Sequence, residues 1–160
     1  AHLATALFVS MAGVDIIHVP YKSSSQSMTD MVTGRLDMQF ATIGPSVANI
    51  RAGQLRALAT SGRRRVAVLG EVPTVAESGI AGYEAALWIS LVAPAATPAS
   101  IVARLNRELN EILGSADAKE ALAAQGVDAE PGTPEALTDR IRADTDKWRA
   151  IVTKTGIRAE

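Results

Sequence analysis

A chain of 160 residues that is 48% hydrophobic and 21% charged, with a formal net charge of -1, has the composition of a soluble globular protein long enough to build one core. Near-neutral charge gives no electrostatic basis for binding nucleic acid or an anionic membrane surface. Zero cysteines exclude a disulfide framework and any thiolate metal site.

The opening residues, Ala-His-Leu-Ala-Thr-Ala-Leu-Phe-Val-Ser-Met, read as a helix already under way, with Leu3, Leu7 and Phe8 on one face and an end at Ala12-Gly13. They hold neither a start methionine nor a convincing cap nor a signal peptide, so the true beginning is expected upstream. Val14, Ile16, Ile17 and Val19 then form a short β-branched run that Pro20 stops. A serine cluster leads into Met28, Met31 and Val32 at helical spacing before Gly34, and Leu36, Met38 and Phe40 alternate with Asp37 and Gln39. Together these predict strand, loop, helix and strand: one βαβ unit with a parallel pair and a right-handed crossover. The loop from Tyr21 to Ser25 would lie where a strand ends and a helix starts.

Beyond Phe40 the chain turns, Pro45 suits the first turn of a helix carrying Val47 and Ile50, and Gly53 ends it. Leu55, Ala57 and Ala59 alternate as a third strand. Arg63-Arg64-Arg65, the only basic run, reads as a solvated turn. Thr74 and Glu77 stand at capping-box spacing ahead of a brief helix that Gly79 stops. Residues 86–92, with Leu87, Trp88, Ile89 and Leu91, read as a long apolar strand, and Pro94 and Pro98 bracket the next turn. Ile101, Leu105, Leu109 and Ile112 predict an amphipathic helix over 100–113. A shorter helix comes next over 117–124, and a last one runs from Thr133-Pro-Glu through Leu137, Ile141, Trp148, Ile151 and Val152 to Gly156. Residues 14–92 thus alternate strands with helices, whereas 97–156 are almost all helix. No apolar run approaches the ~20 residues of a membrane helix.

Chemistry is thin. The sequence has no phosphate-binding glycine loop, nucleophile elbow, paired carboxylates or metal signature, and neither a metal nor a cofactor is expected. Asp15 and His18, three apart on a strand, would face opposite ways, so they make no catalytic dyad, and His18 is read as an ordinary strand residue. Ser23-Ser24-Ser25 differs: free backbone N–H groups at a helix start, aided by hydroxyls, can hold a carboxylate, although simple N-capping also accounts for such serines.

Five blocks carry a resemblance: Gly13-Val-Asp-Ile-Ile-His-Val-Pro-Tyr-Lys-Ser, Gly34-Arg-Leu-Asp-Met-Gln-Phe, Ile50-Arg-Ala-Gly-Gln-Leu-Arg-Ala-Leu-Ala, Val72-Pro-Thr-Val-Ala-Glu-Ser-Gly and Ala93-Pro-Ala-Ala-Thr-Pro. In this order they closely resemble the solute receptors of tripartite tricarboxylate transporters, the Bug receptors, over essentially the whole chain from His2. The resemblance implies a periplasmic protein with two α/β lobes of the type II binding-protein kind that closes on small carboxylates, of which this chain looks like the second half. It implies an α/β ligand-binding lobe over 1–85, and over 86–160 a crossover strand with C-terminal helices that pack on the first lobe.

The family's Tyr-Lys-Gly is matched by Tyr21, Lys22 and Ser23, so a glycine is replaced and its close backbone approach is put in doubt. Where many receptors have Phe-Asp, Phe40 is followed by Ala41 and Thr42, which points away from amino-acid ligands and toward plain di- or tricarboxylates. Tyr21, Lys22, Ser23, Ser24, Thr42 and Ser46 are the expected ligand-side residues, with membrane transporter subunits as partners and no nucleic acid. The alternative is a truncated interaction module that transports nothing and self-associates as a homodimer. Catalysis is the least expected of the three.

Overall fold

The structure is a computed structural model that describes residues 1–157. Six α-helices occur among them: α1 His2–Ala12, α2 Ser24–Val32, α3 Ile43–Arg51, α4 Ala99–Gly114, α5 Ala116–Ala124 and α6 Pro134–Thr155. All six were expected, because each has both an apolar period and punctuation. Gly13 closes α1 in the left-handed region (φ 66), its N–H returning to Val9 O, a conformation cheap only for glycine. Ser115 serves two helices: its hydroxyl donates to Ile112 O at the end of α4 and accepts the Ala118 N–H that starts α5.

The strands differ from expectation. Among the described residues the only β-pairing is an isolated parallel bridge between Thr60 and Thr74, made by Thr60 N–H to Pro73 O (2.8 Å) and Val75 N–H to Thr60 O (2.9 Å). In 14–19, 36–40 and 86–92 no backbone group has a backbone partner among the described residues, and in 55–59 only Leu55 does, bonding back to Asn49. Alternating hydrophobicity reports which side chains could be covered, whereas a strand exists only when a neighbour accepts its N–H groups in register. Here those neighbours are wanting, and Ile17 and Ile89 stand 89% and 88% exposed.

The chain divides into two compact units, Ala1–Ala86 with the segment from Ile151 on, and Leu87–Ala150. Positions 158–160 of the expected second segment lie outside the described residues. In the first unit Leu7, Val47, Val75, Tyr83 and Ala85 form the buried apolar core. Around it Phe8, Phe40 and Tyr83 pack as an aromatic triangle with centroids 5.7, 6.2 and 6.1 Å apart, a spacing that favours tilted and edge contacts. Tyr83 is 2% exposed, and its hydroxyl donates to Ala4 O at 3.0 Å, tying the 80s to α1.

The capping box forms as expected: Thr74 N–H donates to Glu77 Oε2 (2.7 Å) and Glu77 N–H to Thr74 Oγ1 (3.1 Å). The expected brief helix is instead a turn, because Gly79 arrives before a second turn of backbone bonds can close. The Thr74 N–H, and after it the Arg65 guanidinium, hold the Glu77 carboxyl below its usual range. Its contribution to stability is therefore present above the ordinary carboxylate range and lost as the pH falls through the lowered value.

The basic run is exposed, as expected of a solvated turn, but it is paired: Arg63 with Glu84 (2.9 Å) and Arg65 with Glu71 (3.1 Å) and Glu77 (3.0 Å). Acids brought in from further along the chain, invisible to local sequence, make the difference.

The second unit contains α4, α5 and most of α6, and none of its described residues is buried. Polar clasps hold it. Asn106 and Asn110 donate to Gly132 O while Gly132 N–H returns to Asn110 Oδ1. The Trp88 indole N–H donates to Asp144, and the Arg140 guanidinium lies 5.8 Å from the centre of the Trp88 ring while pairing with Glu130.

Candidate functional site

Pro20 ends the first β-branched run and Ser23, with an extended backbone, starts α2. The Ser23 hydroxyl accepts the Gln26 N–H (3.3 Å) and lies 3.1 Å from Ser25 Oγ. Capping is thus real, but it satisfies only one of the first-turn donors, so the Ser24 and Ser25 N–H groups keep no intrahelical acceptor. Lys22, Ser23, Ser24 and Ser25 are exposed, and Lys22 makes no ion pair among the described residues. The positive end of α2, its spare N–H groups and a lysine together suit a carboxylate.

Tyr21 sits differently. Half-buried, it donates its hydroxyl to Asp30 Oδ2 at 2.8 Å, and Arg35 holds the other carboxylate oxygen at 3.2 Å. The hydrogen bond to Asp30, ahead of burial and the Asp30 charge, raises the Tyr21 pKa above its usual value, because ionisation would place a phenolate against a carboxylate. Its hydroxyl is already engaged.

The second helix start is α3. Thr42 is its exposed N-cap and makes no side-chain cap bond, so its hydroxyl stays available. Ile43 and Gly44 offer first-turn N–H groups, and Pro45 has none. Ser46 is 7% exposed and donates back to Thr42 O at 2.8 Å; its hydroxyl is turned inward. Of the six expected residues, 21–24 thus gather at one helix start and Thr42 and Ser46 at another, and no hydrogen bond among the described residues joins the two groups.

Sequence reasoning singled out neither Asp30 nor Gln39. Gln39 Nε2 donates to Ser27 Oγ (2.9 Å), which in turn donates to Ser24 O (3.0 Å). Nothing in local spacing ties residue 21 to 30, or 39 to 24; folding α2 does.

Elsewhere in this unit His2 and His18 stack face to face, centroids 3.9 Å apart and rings within 6° of parallel, beside a cavity of about 340 Å³ lined among others by Thr5, Val9, Ile16 and Thr155. His18 is therefore not an isolated strand residue. The cavity shares no lining residue with the serine loop, and no group of three His, Cys, Asp or Glu residues able to hold a metal occurs among the described residues.

A model of the tripartite tricarboxylate transporter family receptor matches residues 1–157. A UPF0065 protein from the tcbD-tcbE intergenic region of Pseudomonas sp. strain P51 is 38% identical over 99% of this chain and 47% of its own length. Another, from the clcB-clcD intergenic region of Pseudomonas knackmussii, is 34% identical over 94% of this chain and 90% of its own. The solved structure of R. palustris Rpa4515 with adipate superimposes with a TM-score of 0.89 at 35% identity, covering 98% of this chain and 52% of that one. The chain therefore spans about half the length of the first relative and of the solved structure, and most of the second relative. The likeness carries the α/β, type II-like periplasmic binding-protein class expected from the sequence.

Proposed function

Because this chain belongs to the tripartite tricarboxylate transporter family of receptors, we propose that it is the ligand-binding second lobe, with C-terminal helices, of a periplasmic receptor that captures a small di- or tricarboxylate and delivers it to membrane transporter subunits. The family is one of solute receptors; the chain acts by binding and not by catalysis. The observation that carries the ligand class is the adipate in the R. palustris structure, supported by the spare donors at the start of α2. Residues 1–85 supply the ligand lobe, and of the expected 86–160 segment it is the 87–150 unit that returns onto the first lobe. Lys22, Ser23 and Ser24, with the Tyr21 ring, meet the carboxylate at one helix start. Thr42 does so at the other, with Ser46 bracing its backbone.

Oriented dipoles suffice for an anion at such a site, so no arginine cluster is needed. Calorimetry of the two-lobe receptor against organic acids, sugars and amino acids is expected to give binding to dicarboxylates such as adipate. Tight binding of an uncharged sugar alone would overturn the reading.

Lys22 is exposed, and its charge acts through water, so Lys22→Ala is expected to weaken adipate binding by no more than about 1–2 kcal/mol. An affinity that does not move would return Lys22 to an ordinary surface role.

A second reading has its own observation in the exposed apolar side chains of the 87–150 unit, Leu87, Ile89, Ile101 and Ile112 among them: a self-associating homodimer that transports nothing. The P. knackmussii relative, of which this chain covers 90%, is of similar length. Transport assays with a strain lacking the receptor separate the two readings, since only a receptor restores uptake.

A further inference from the structure

The serine loop is gripped at both ends by side chains that the carboxylate site does not itself use. At its start, the Tyr21 hydroxyl is held by Asp30 (2.8 Å), and Asp30 is held in turn by the Arg35 guanidinium (3.2 Å), while the Arg35 N–H bonds Asp30 O (2.8 Å). At the helix start, Ser24 O is held by Ser27, which is 7% exposed and is held by Gln39. The far end of the Gln39 amide, Oε1, is buried with no hydrogen-bond partner. A buried acceptor left unpaired is costly, and the fold retains it where the amide's other end holds Ser27.

We propose that Asp30 and Gln39 are positioning residues, fixing the loop at its two ends so that the Ser24 and Ser25 N–H groups are set before an anion arrives. Asp30 acts through Tyr21, and Gln39 through Ser27. Donors already fixed lose little freedom on binding, which is how neutral groups bind an anion firmly. The Tyr21 hydroxyl is on this account a strut and not a ligand donor. The tethers stand independently of the receptor reading, on which only the response to added adipate rests.

The test uses this chain, with amide hydrogen exchange read residue by residue in Tyr21→Phe, Asp30→Ala, their double variant and Gln39→Leu. Each single change at 21 or 30 is expected to speed exchange at Gln26, whose N–H is held by the Ser23 hydroxyl, about five- to tenfold, as loss of one hydrogen bond implies. The double variant should go no faster than the faster single, since both cut one tether. Gln39→Leu should speed exchange at Ser27, whose N–H bonds Ser23 O, and leave Gln26 unchanged. In Asp30→Ala, ultraviolet titration should show Tyr21 ionising closer to 10.0, a change that a merely structural role at another site would not produce.

Effects that multiply in the double variant, or exchange unchanged in both Asp30→Ala and Gln39→Leu, would overturn the assignment. If Asp30→Ala fails to fold, Tyr21→Phe, which keeps the ring, still decides the first tether. Adipate, added as probe, should shift the Ser24 and Ser25 amides in the unaltered chain and do so less in Asp30→Ala. No shift in the unaltered chain would count against the receptor reading, while the exchange result judges the tethers separately.

Discussion

Replacing Tyr83 with alanine is expected to destabilise the first unit by about 3–5 kcal/mol, the usual cost of deleting a large buried aromatic. The effect is large because little else could compensate: only five apolar residues are buried in the described chain, and Tyr83, at 2% exposure, is the largest. Its ring closes the triangle with Phe8 and Phe40, and its hydroxyl bonds Ala4 O. Tyr83→Phe keeps the ring and should cost only about 1 kcal/mol, the worth of one hydrogen bond. Burial also pushes the Tyr83 hydroxyl up to about 12 from 10.0, so the folded state favours the neutral phenol. That preference is fully present below pH 10 and lost as pH rises toward 12, corresponding to on the order of 2–3 kcal/mol. Urea melts at pH 8 and at pH 11 should therefore differ more for the unaltered chain than for Tyr83→Phe. A Tyr83→Ala variant within 1 kcal/mol of the original would show that the triangle is not the core.

At micromolar concentration the chain is expected to be a dimer. Ile101, Leu105 and Ile112 of α4 are 49%, 46% and 59% exposed, and Leu87, Leu91 and Val92 are 75%, 63% and 74% exposed. At ~25 cal/mol per Å² of apolar surface, a few hundred Å² left in water forgoes several kcal/mol, comparable to the whole stability of a small domain. A second copy can cover that surface, by a self-complementary contact or by exchange of C-terminal elements. Light scattering alongside size exclusion should give twice the chain mass, and paired Leu105→Glu and Ile112→Glu changes should return the chain to a monomer. A well-folded monomer with one cooperative melt, before any substitution, would sink the idea.

Helices were legible in the sequence because each is specified locally: an apolar period and a terminal glycine, serine or proline lie within a few positions of one another, as in α1 with Gly13 and α3 with Pro45 and Gly53. Strand pairing was not, since 14–19 and 86–92 need partners that no local pattern supplies. The same divide runs through the site. Ser23 as a helix cap could be read directly, whereas the turning inward of Ser46, the engagement of the Tyr21 hydroxyl by Asp30 and the stacking of His18 on His2 depend on distant residues meeting. Arg65 behaved likewise, finding Glu77 twelve positions away.

The Thr60–Thr74 bridge, with Arg65 clasped to Glu71 and Glu77, pins both ends of the stretch between them. Its tip, a single 3-10 turn at Ala67–Leu69 followed by Gly70, holds no buried residue. Lengthening a loop whose ends are already fastened costs only about 0.6 kcal/mol for each doubling. The tip is accordingly a place where the chain can accept a guest: an epitope, a fluorophore-labelling tag or a small reporter domain spliced beside Gly70 is expected to leave the serine loop and the aromatic triangle folded, giving a way to follow this protein in the cell.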